Sequence, residues 1–412
     1  MDARVKPCAT KMSKFTAEVV VVGGGPAGLT AAIALAGAGV ETIIVAKPSL
    51  EDDYRTTALL TGSVKALDTL RVWERCREHA APLRVMRIVD DTARLLRGPE
   101  VHFAASEIGL DAFGYNIENR FLLTALDARA RALAALTVVE DEAESVAIGD
   151  TEVAVRTKGG GDVSARLTIG AEGRRSLCRA AAGIETDGQR YPQTALTCNL
   201  RHGRPHEDTS TEFHTEAGPF TLVPLPGQRS SLVFVIDSAE APHIAALPDD
   251  DLAAEIERRA HSILGKVTVE PGRGVFPLAV ETARRFGIGR VALIGEAAHV
   301  IPPIGAQGLN LGLRDAATIG ELVVAARRDG LDVGADELTN QYDRMRRADV
   351  ASRTLAVDLL NRSLLSSFLP LQGARGFGLF LMDRISPLRR AVMREGVTPL
   401  ASQPRLMRGE AL

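Results

Sequence analysis

Two stretches far apart in this 412-residue sequence carry residue types that bind phosphates and diols. The first is Gly23-Gly24-Gly25-Pro26-Ala27-Gly28, a G-x-G-x-x-G that follows the β-branched run Val19–Val22 and opens an Ala- and Leu-rich stretch. In that context Gly23 permits a tight turn, Gly25 lets a pyrophosphate approach the backbone, and Gly28 lets a helix pack on the sheet. The helix N-terminus adds free N–H groups and positive partial charge. The second is "LIGEAAHVIPPIGAQGLNLG", residues 293–312, which begins like a buried strand and ends like the first turn of a helix. Glu296, where the strand stops, can accept hydrogen bonds from a polyol. The segment from Gly305 to Gly312 can lay backbone N–H groups against a flat, electron-rich ring. A ligand held by both stretches must be long, which suits flavin adenine dinucleotide (FAD) better than a mononucleotide. Glycines that serve packing alone are the plainer alternative for each. The acidic ribose partner expected about 20 residues after the glycines is missing, since Ala46, Lys47 and Pro48 follow Val45.

Residues 17–47 read strand, glycine turn, helix, strand, which is a βαβ unit with strands buried on both faces. Helical patterning returns at 63–79 and 119–134, and residues 144–170 alternate around "KGGGDV" as a meander. Between 190 and 285 short strand-like pieces ("TALTCNL", "TLVPLP", "SLVFVI", "GVFPLAV") are separated by Pro- and Gly-bearing turns, with one helix over 249–264. Residues 307–355 are helical again. The expected architecture is α/β: a Rossmann-like FAD-binding domain with an inserted, mainly antiparallel β-sheet substrate domain and C-terminal helices. Its boundaries are a flexible leader at 1–16, the FAD-binding domain at 17–185 and 286–355, the inserted sheet at 186–285, and a C-terminal helical region at 356–412.

Composition narrows the function classes. Apolar residues make up 45% and charged residues 25%, ordinary for a globular protein. A net charge of −3 argues against nucleic-acid binding by phosphate neutralisation. The four cysteines form no C-x-x-C pair or zinc spacing, which suits a reducing cytosol and no metal. There is no secretion signal pattern and no apolar run long enough to span a bilayer.

These motifs resemble those of the class A flavin monooxygenases, the para-hydroxybenzoate hydroxylase fold, and within it the ubiquinone-biosynthesis hydroxylases of the UbiH/UbiF group. "GGGPAGLTAAIALA" resembles the family's first FAD motif, and "GAEGRRSLCR" (residues 170–179) resembles its G-A-D-G-x-x-S-x-x-R. "LIGEAAHVIPPIGAQGLNLGLRDA" resembles its G-D-A-A-H…P…G-Q-G-x-N-L-G-x-x-D-A, and "GPFTLVPLP" and "VFPLAV" resemble the substrate-domain strands. The likeness covers nearly the whole chain. It implies that Gly23, Gly25 and Gly28 hold the pyrophosphate, that Arg55 and Asn119 contact the cofactor, and that Glu296 binds the ribityl chain. It also implies that Pro303, Gly308 and Asn310 belong to the loop beside the isoalloxazine ring, and that Arg179 touches both cofactors. Glu172 and Glu296 stand where the family has aspartate, one methylene shorter. His299 reads as a loop histidine satisfied by backbone rather than as a proton-transfer group.

The activity so implied is hydroxylation of the aromatic ring of a polyprenylated ubiquinone precursor. NAD(P)H or another donor, visiting transiently, reduces the flavin; O2 adds at its C4a carbon, and the hydroperoxide passes one oxygen to the ring. No protein residue is assigned to the chemical step. A halogenase or epoxidase is disfavoured by the single tryptophan, Trp73. Hydroxylation of another phenol remains an alternative. So does a non-catalytic scaffold in a ubiquinone-biosynthesis complex, although the retained glycines count against it. Residues 359–382 pair two apolar stretches around Arg362, Pro370, Gly373 and Arg375. They read either as a cover on the FAD domain or as a peripheral membrane contact of a cytoplasmic protein.

Overall fold

The computed structural model describes residues 5–6, 14–48, 53–92, 97–303, 305–365, 378, 380–382, 384–397 and 403–412. Continuous β-branched runs make its parallel centre. Lys14–Val22 pairs in parallel with Thr42–Ala46 on one side and with Asp162–Gly170 on the other. Thr42–Ala46 pairs onward with Leu136–Glu140, and Val291–Leu293 lies parallel to the end of Asp162–Gly170. The first helix, Pro26–Gly37, packs nine consecutive buried residues, Gly28–Ala36, into the core. Ala143–Ile148 and Val153–Thr157 complete this nine-stranded sheet as the expected antiparallel meander.

Three strands of the centre end side by side, at Val22, Gly170 and Leu293. Their C-terminal ends therefore deliver the Gly23 turn, the Ala171-Glu172 turn and the Gly295-Glu296 turn to one edge. In open α/β sheets that edge is where ligands bind.

The second sheet also has nine strands and is mainly antiparallel. Its long strand Thr186–His202 pairs with Arg229–Asp237, Gly274–Ala283 and Val267–Val269. Phe213, Phe220 and Phe234 stack edge to face in its core, beneath the Asp249–Arg259 helix.

Several boundaries differ from the sequence reading. Lys14–Thr16, assigned to the leader, already form the central strand, and Val5–Lys6 pairs with Val138–Val139. The second sheet is not confined to 186–285: it takes in Val85–Asp90, Val101–Ala104 and His299–Val300. The 63–79 helix is Thr61–Thr69, after which left-handed Arg71 breaks it into two 3-10 turns. The 249–264 helix stops at Arg259, ahead of left-handed His261 and Ser262. Of the 359–382 stretch, residues up to 365 continue the Asp336–Leu365 helix, whereas Phe368, Pro370, Gly373, Arg375 and Leu379 lie outside the described residues. Among the described residues no helix is long and apolar enough to cross a membrane.

Candidate active site

The three glycines of the first loop differ in what surrounds them. Gly23 sits at φ +113°, and a Cβ there would lie 2.5 Å from the Ala171 carbonyl. A Cβ at Gly28 would lie 2.1 Å from the Gly23 carbonyl oxygen, so helix and turn touch through bare backbone. A Cβ at Gly25 would meet nothing within 4 Å. Gly25 is also the N-cap of the first helix, which has no side-chain cap and Pro26 in its first turn. Its first-turn N–H groups are thus left for an anion in that open space. Ala46, in place of a ribose acid, packs its Cβ 2.6 Å from where a Gly24 Cβ would stand. Lys47 pairs with Glu142 at 2.8 Å.

The second stretch meets the first directly. Gly295, at φ +59°, and Gly312 both pack against the Ala27 side chain: a Cβ at either would lie 3.4 or 3.3 Å from the Ala27 Cβ. A Gly312 Cβ would also lie 3.2 Å from the Gly295 Cα. The helix Gln307–Arg328 that carries Gly312 starts without a side-chain cap, at left-handed Ala306 after left-handed Gly305. Pro303 is exposed in the preceding bend, and a Cβ at Gly308 would meet open space. Two uncapped helix N-termini so converge on one region.

Glu296 projects from a 3-10 turn, with its side chain 59% exposed. Arg174 approaches it at 3.4 Å, and Glu296 in turn helps hold the Arg55 guanidinium in its charged form. The main cause of that upward shift is the Arg55 hydrogen bond to Asp53, whose carboxylate accepts from Arg55 Nε at 2.8 Å and Nη2 at 2.6 Å. Asn119 donates to the same carboxylate at 3.2 Å and accepts from Thr57 Oγ1 at 2.7 Å. Arg55, Asn119 and Glu296 thus belong to one polar rim.

Other residues read as cofactor contacts are engaged by protein groups. Arg179 donates to the carbonyls of Ala297 (2.9 Å) and Arg174 (2.6 Å), clamping the Glu172 loop to the Glu296 loop. Asn310 donates to the carbonyls of Ala58 (2.8 Å) and Ala306 (2.6 Å). It accepts from Leu60 N (2.9 Å) and Ser63 Oγ (2.7 Å), so its side chain is filled by protein groups. Glu172 Oε1 accepts from Cys178 N and Ser176 Oγ, at 2.7 and 2.9 Å, while its buried Oε2 has no partner among the described residues. Burial, then Glu172, pushes the Cys178 thiol well above its ordinary value.

Two residues central to this geometry have no role in the sequence reading. Asp315, fully buried, accepts from Gly295 N at 2.9 Å, His299 Nε2 at 2.7 Å and Arg346 Nε at 2.7 Å. Burial raises its pKa, but the charges of His299 and Arg346, with these hydrogen bonds, outweigh it and hold the carboxyl below its ordinary 3.8. His299 is accordingly held at Nε2 by a carboxylate and not by backbone, and among the described residues its buried Nδ1 has no partner. Asp315 lies inside the quoted "GLRDA" and could have been singled out. Arg346 sits in "YDRMRRAD", which reads as a solvated helix face yet buries that arginine to 2% exposure.

The arrangement fits FAD: an open cradle at Gly25, two uncapped helix ends, and an exposed acid between them for a polyol. The profile of the FAD binding domain family matches residues 16–356. The chain belongs to this FAD-binding family. A ubiquinone hydroxylase, UbiL of Rhodospirillum rubrum, is 36% identical over 406 residues, covering 96% of this chain and 94% of the relative. The 3-demethoxyubiquinol 3-hydroxylase of Escherichia coli is 29% identical, covering 93% and 99%. Among solved structures, the p-nitrophenol 4-monooxygenase of Pseudomonas putida superposes with a TM-score of 0.78 at 19% identity, covering 95% of this chain and all of that one. That likeness shows the flavin-monooxygenase fold.

Gly25→Val is expected to give a folded, colourless protein, because its side chain fills ligand space only, whereas Gly28→Val is expected to misfold. Circular dichroism and flavin absorbance of the two variants check the contrast. Glu296→Ala should weaken FAD retention by about 1–3 kcal/mol, read by dialysis, and Glu296→Asp should retain it. Asp315→Asn should cost about 3–5 kcal/mol by leaving the buried Arg346 with only the Asp349 carboxylate that it shares with other arginines, measured by the denaturation midpoint. Since the folded carboxyl titrates low, that stabilisation is complete above the ordinary value of 3.8 and is lost as the pH falls through the folded one.

Proposed function

We propose that this chain hydroxylates the aromatic ring of a polyprenylated ubiquinone precursor, with bound FAD, O2, and NAD(P)H or another donor as transient reductant. The supporting observation is the continuity of one segment. The Gly295–Ala297 turn that presents Glu296 runs straight into His299–Val300, which pairs with Thr282 and Glu281 at the edge of the second sheet. The flavin loop is thereby also an edge of the sheet that would receive the substrate. The full-length likeness to two ubiquinone-pathway hydroxylases narrows the aromatic substrate to that class.

When bound and reduced, the flavin supplies the oxygen-transfer chemistry with O2. The chain's residues supply the rest. The backbone at Gly25 and the first helix turn would hold the pyrophosphate, with Gly23 and Gly28 shaping that loop. Glu296, with Arg55 and Asn119 behind it, would hold the polyol. The backbone of Pro303 to Gly308, tied down by Asn310, would lie along the ring. The second sheet would keep bulk water from the reacting edge. On this reading the protein works beside the membrane that holds the prenylated substrate, as a peripheral component of a ubiquinone-biosynthesis assembly.

A strain lacking the gene should accumulate a prenylated precursor one hydroxyl short. The purified FAD protein should restore that hydroxyl in vitro with NAD(P)H, the oxygen coming from isotope-labelled O2. Reductant oxidation with no labelled product from any prenylated phenol would refute the substrate assignment, and absence of both would favour a scaffold role.

A further inference from the structure

Three guanidiniums share two carboxylates beneath the start of the Gln307–Arg328 helix. Asp349 accepts from Arg346 Nη1 at 2.5 Å, from Arg353 Nε at 3.1 Å and from Arg314 Nη1 at 3.4 Å, while Asp315 takes the remaining Arg346 bond and is already shared with His299. The group of Arg314, Arg346, Arg353, Asp315 and Asp349 carries one positive charge too many. It is also dry: the side chains of Arg314, Arg346 and Arg353 are 12%, 3% and 15% exposed.

The shortfall is concentrated on Arg314. Among the described residues its guanidinium, with five N–H donors, makes only the long bond to Asp349. Burial pulls its pKa down to about 10, and the pull of Asp349 is opposed by the like charges of Arg353 and Arg346. Among the described residues, Arg346 Nη2 and Thr354 Oγ1 are buried without partners as well. A buried, undercompensated cation is costly unless something supplies the missing negative charge.

A polar cavity lies where that charge is missing. Arg314, Arg353, Gln307, Ser63 and Asn310 line this partly open cavity, together with the apolar Leu60, Leu311 and Met407. Its volume of about 20 Å³ exceeds the roughly 10–15 Å³ one water needs but is too small for a phosphate. We propose that this cavity binds a monatomic halide, chloride under ordinary conditions, held between the Arg314 and Arg353 guanidiniums. Chloride fits the volume, brings a full negative charge, and accepts N–H bonds without a fixed geometry. It would sit under the first turns of the helix that begins at the flavin loop. Halide binding would therefore steady both the fold and that helix start. The inference stands independently of which substrate is hydroxylated.

The test is the melting temperature of the FAD-loaded protein in sodium chloride, sodium bromide and sodium gluconate at equal ionic strength. Chloride and bromide should raise it saturably by about 2–4 °C over gluconate. Arg353→Gln, which leaves two guanidiniums for two carboxylates, should lose that response. A bromide-soaked crystal should show an anomalous peak between Arg314 and Arg353. Equal melting in all three salts, an undiminished response in Arg353→Gln, or a water and no bromide at the position would overturn the proposal.

Discussion

The carboxylate of Asp315 joins three parts of the chain that the sequence keeps far apart. Its hydrogen bond from Gly295 N fixes the left-handed turn at which a core strand ends and Glu296 begins. Its bond from His299 fixes the far side of the same turn, where the chain enters the second sheet. Its bond from Arg346 Nε ties both to the Asp336–Leu365 helix behind. Each ion has lost its water, so the set is stable only while complete. Removing one partner would leave the others buried and undercompensated.

Around this fixed turn the two ligand stretches fit by smallness. Ala27, Gly295 and Gly312 come from three different elements and meet closely: a Cβ at Gly312 would crowd the Gly295 Cα at 3.2 Å and the Ala27 Cβ at 3.3 Å, while Gly295 is held to glycine by its φ of +59°. Their contact brings the N-termini of the Pro26–Gly37 and Gln307–Arg328 helices to one edge of the parallel sheet. Asn310 then pins the second helix to the Ala58–Ser63 segment through three hydrogen bonds, and a fourth holds the helix's own N-cap at Ala306. The candidate cofactor-binding edge is thus set by packing and buried hydrogen bonds, with the Glu296 side chain largely exposed and open space at Gly25.

Features that depend on local chemistry were legible in the sequence. The Val19–Val22 run, the glycine spacing and the 144–170 alternation each dictate their own structure, and each forms as read. Long-range pairing was less legible. Val85–Asp90 joins the second sheet only because it lies parallel to Thr209–His214, a partner well over 100 residues away that no local pattern announces. Side-chain destinations were the least legible. Arg179 and Asn310 stand in cofactor motifs but bind protein carbonyls, and Arg346 hides its burial in a run of surface-like charges. A carboxylate that titrates with three partners is a property of the fold, and residue type alone does not reveal it.

The most direct test of this account is the crystal structure of the protein with FAD bound. The pyrophosphate should lie against Gly25 and the first turn of the Pro26–Gly37 helix, with the ribityl hydroxyls at Glu296 and the ring along Pro303 to Gly308. A flavin whose pyrophosphate lies elsewhere, or whose polyol leaves Glu296 untouched, would contradict the claim that these two distant stretches form one site.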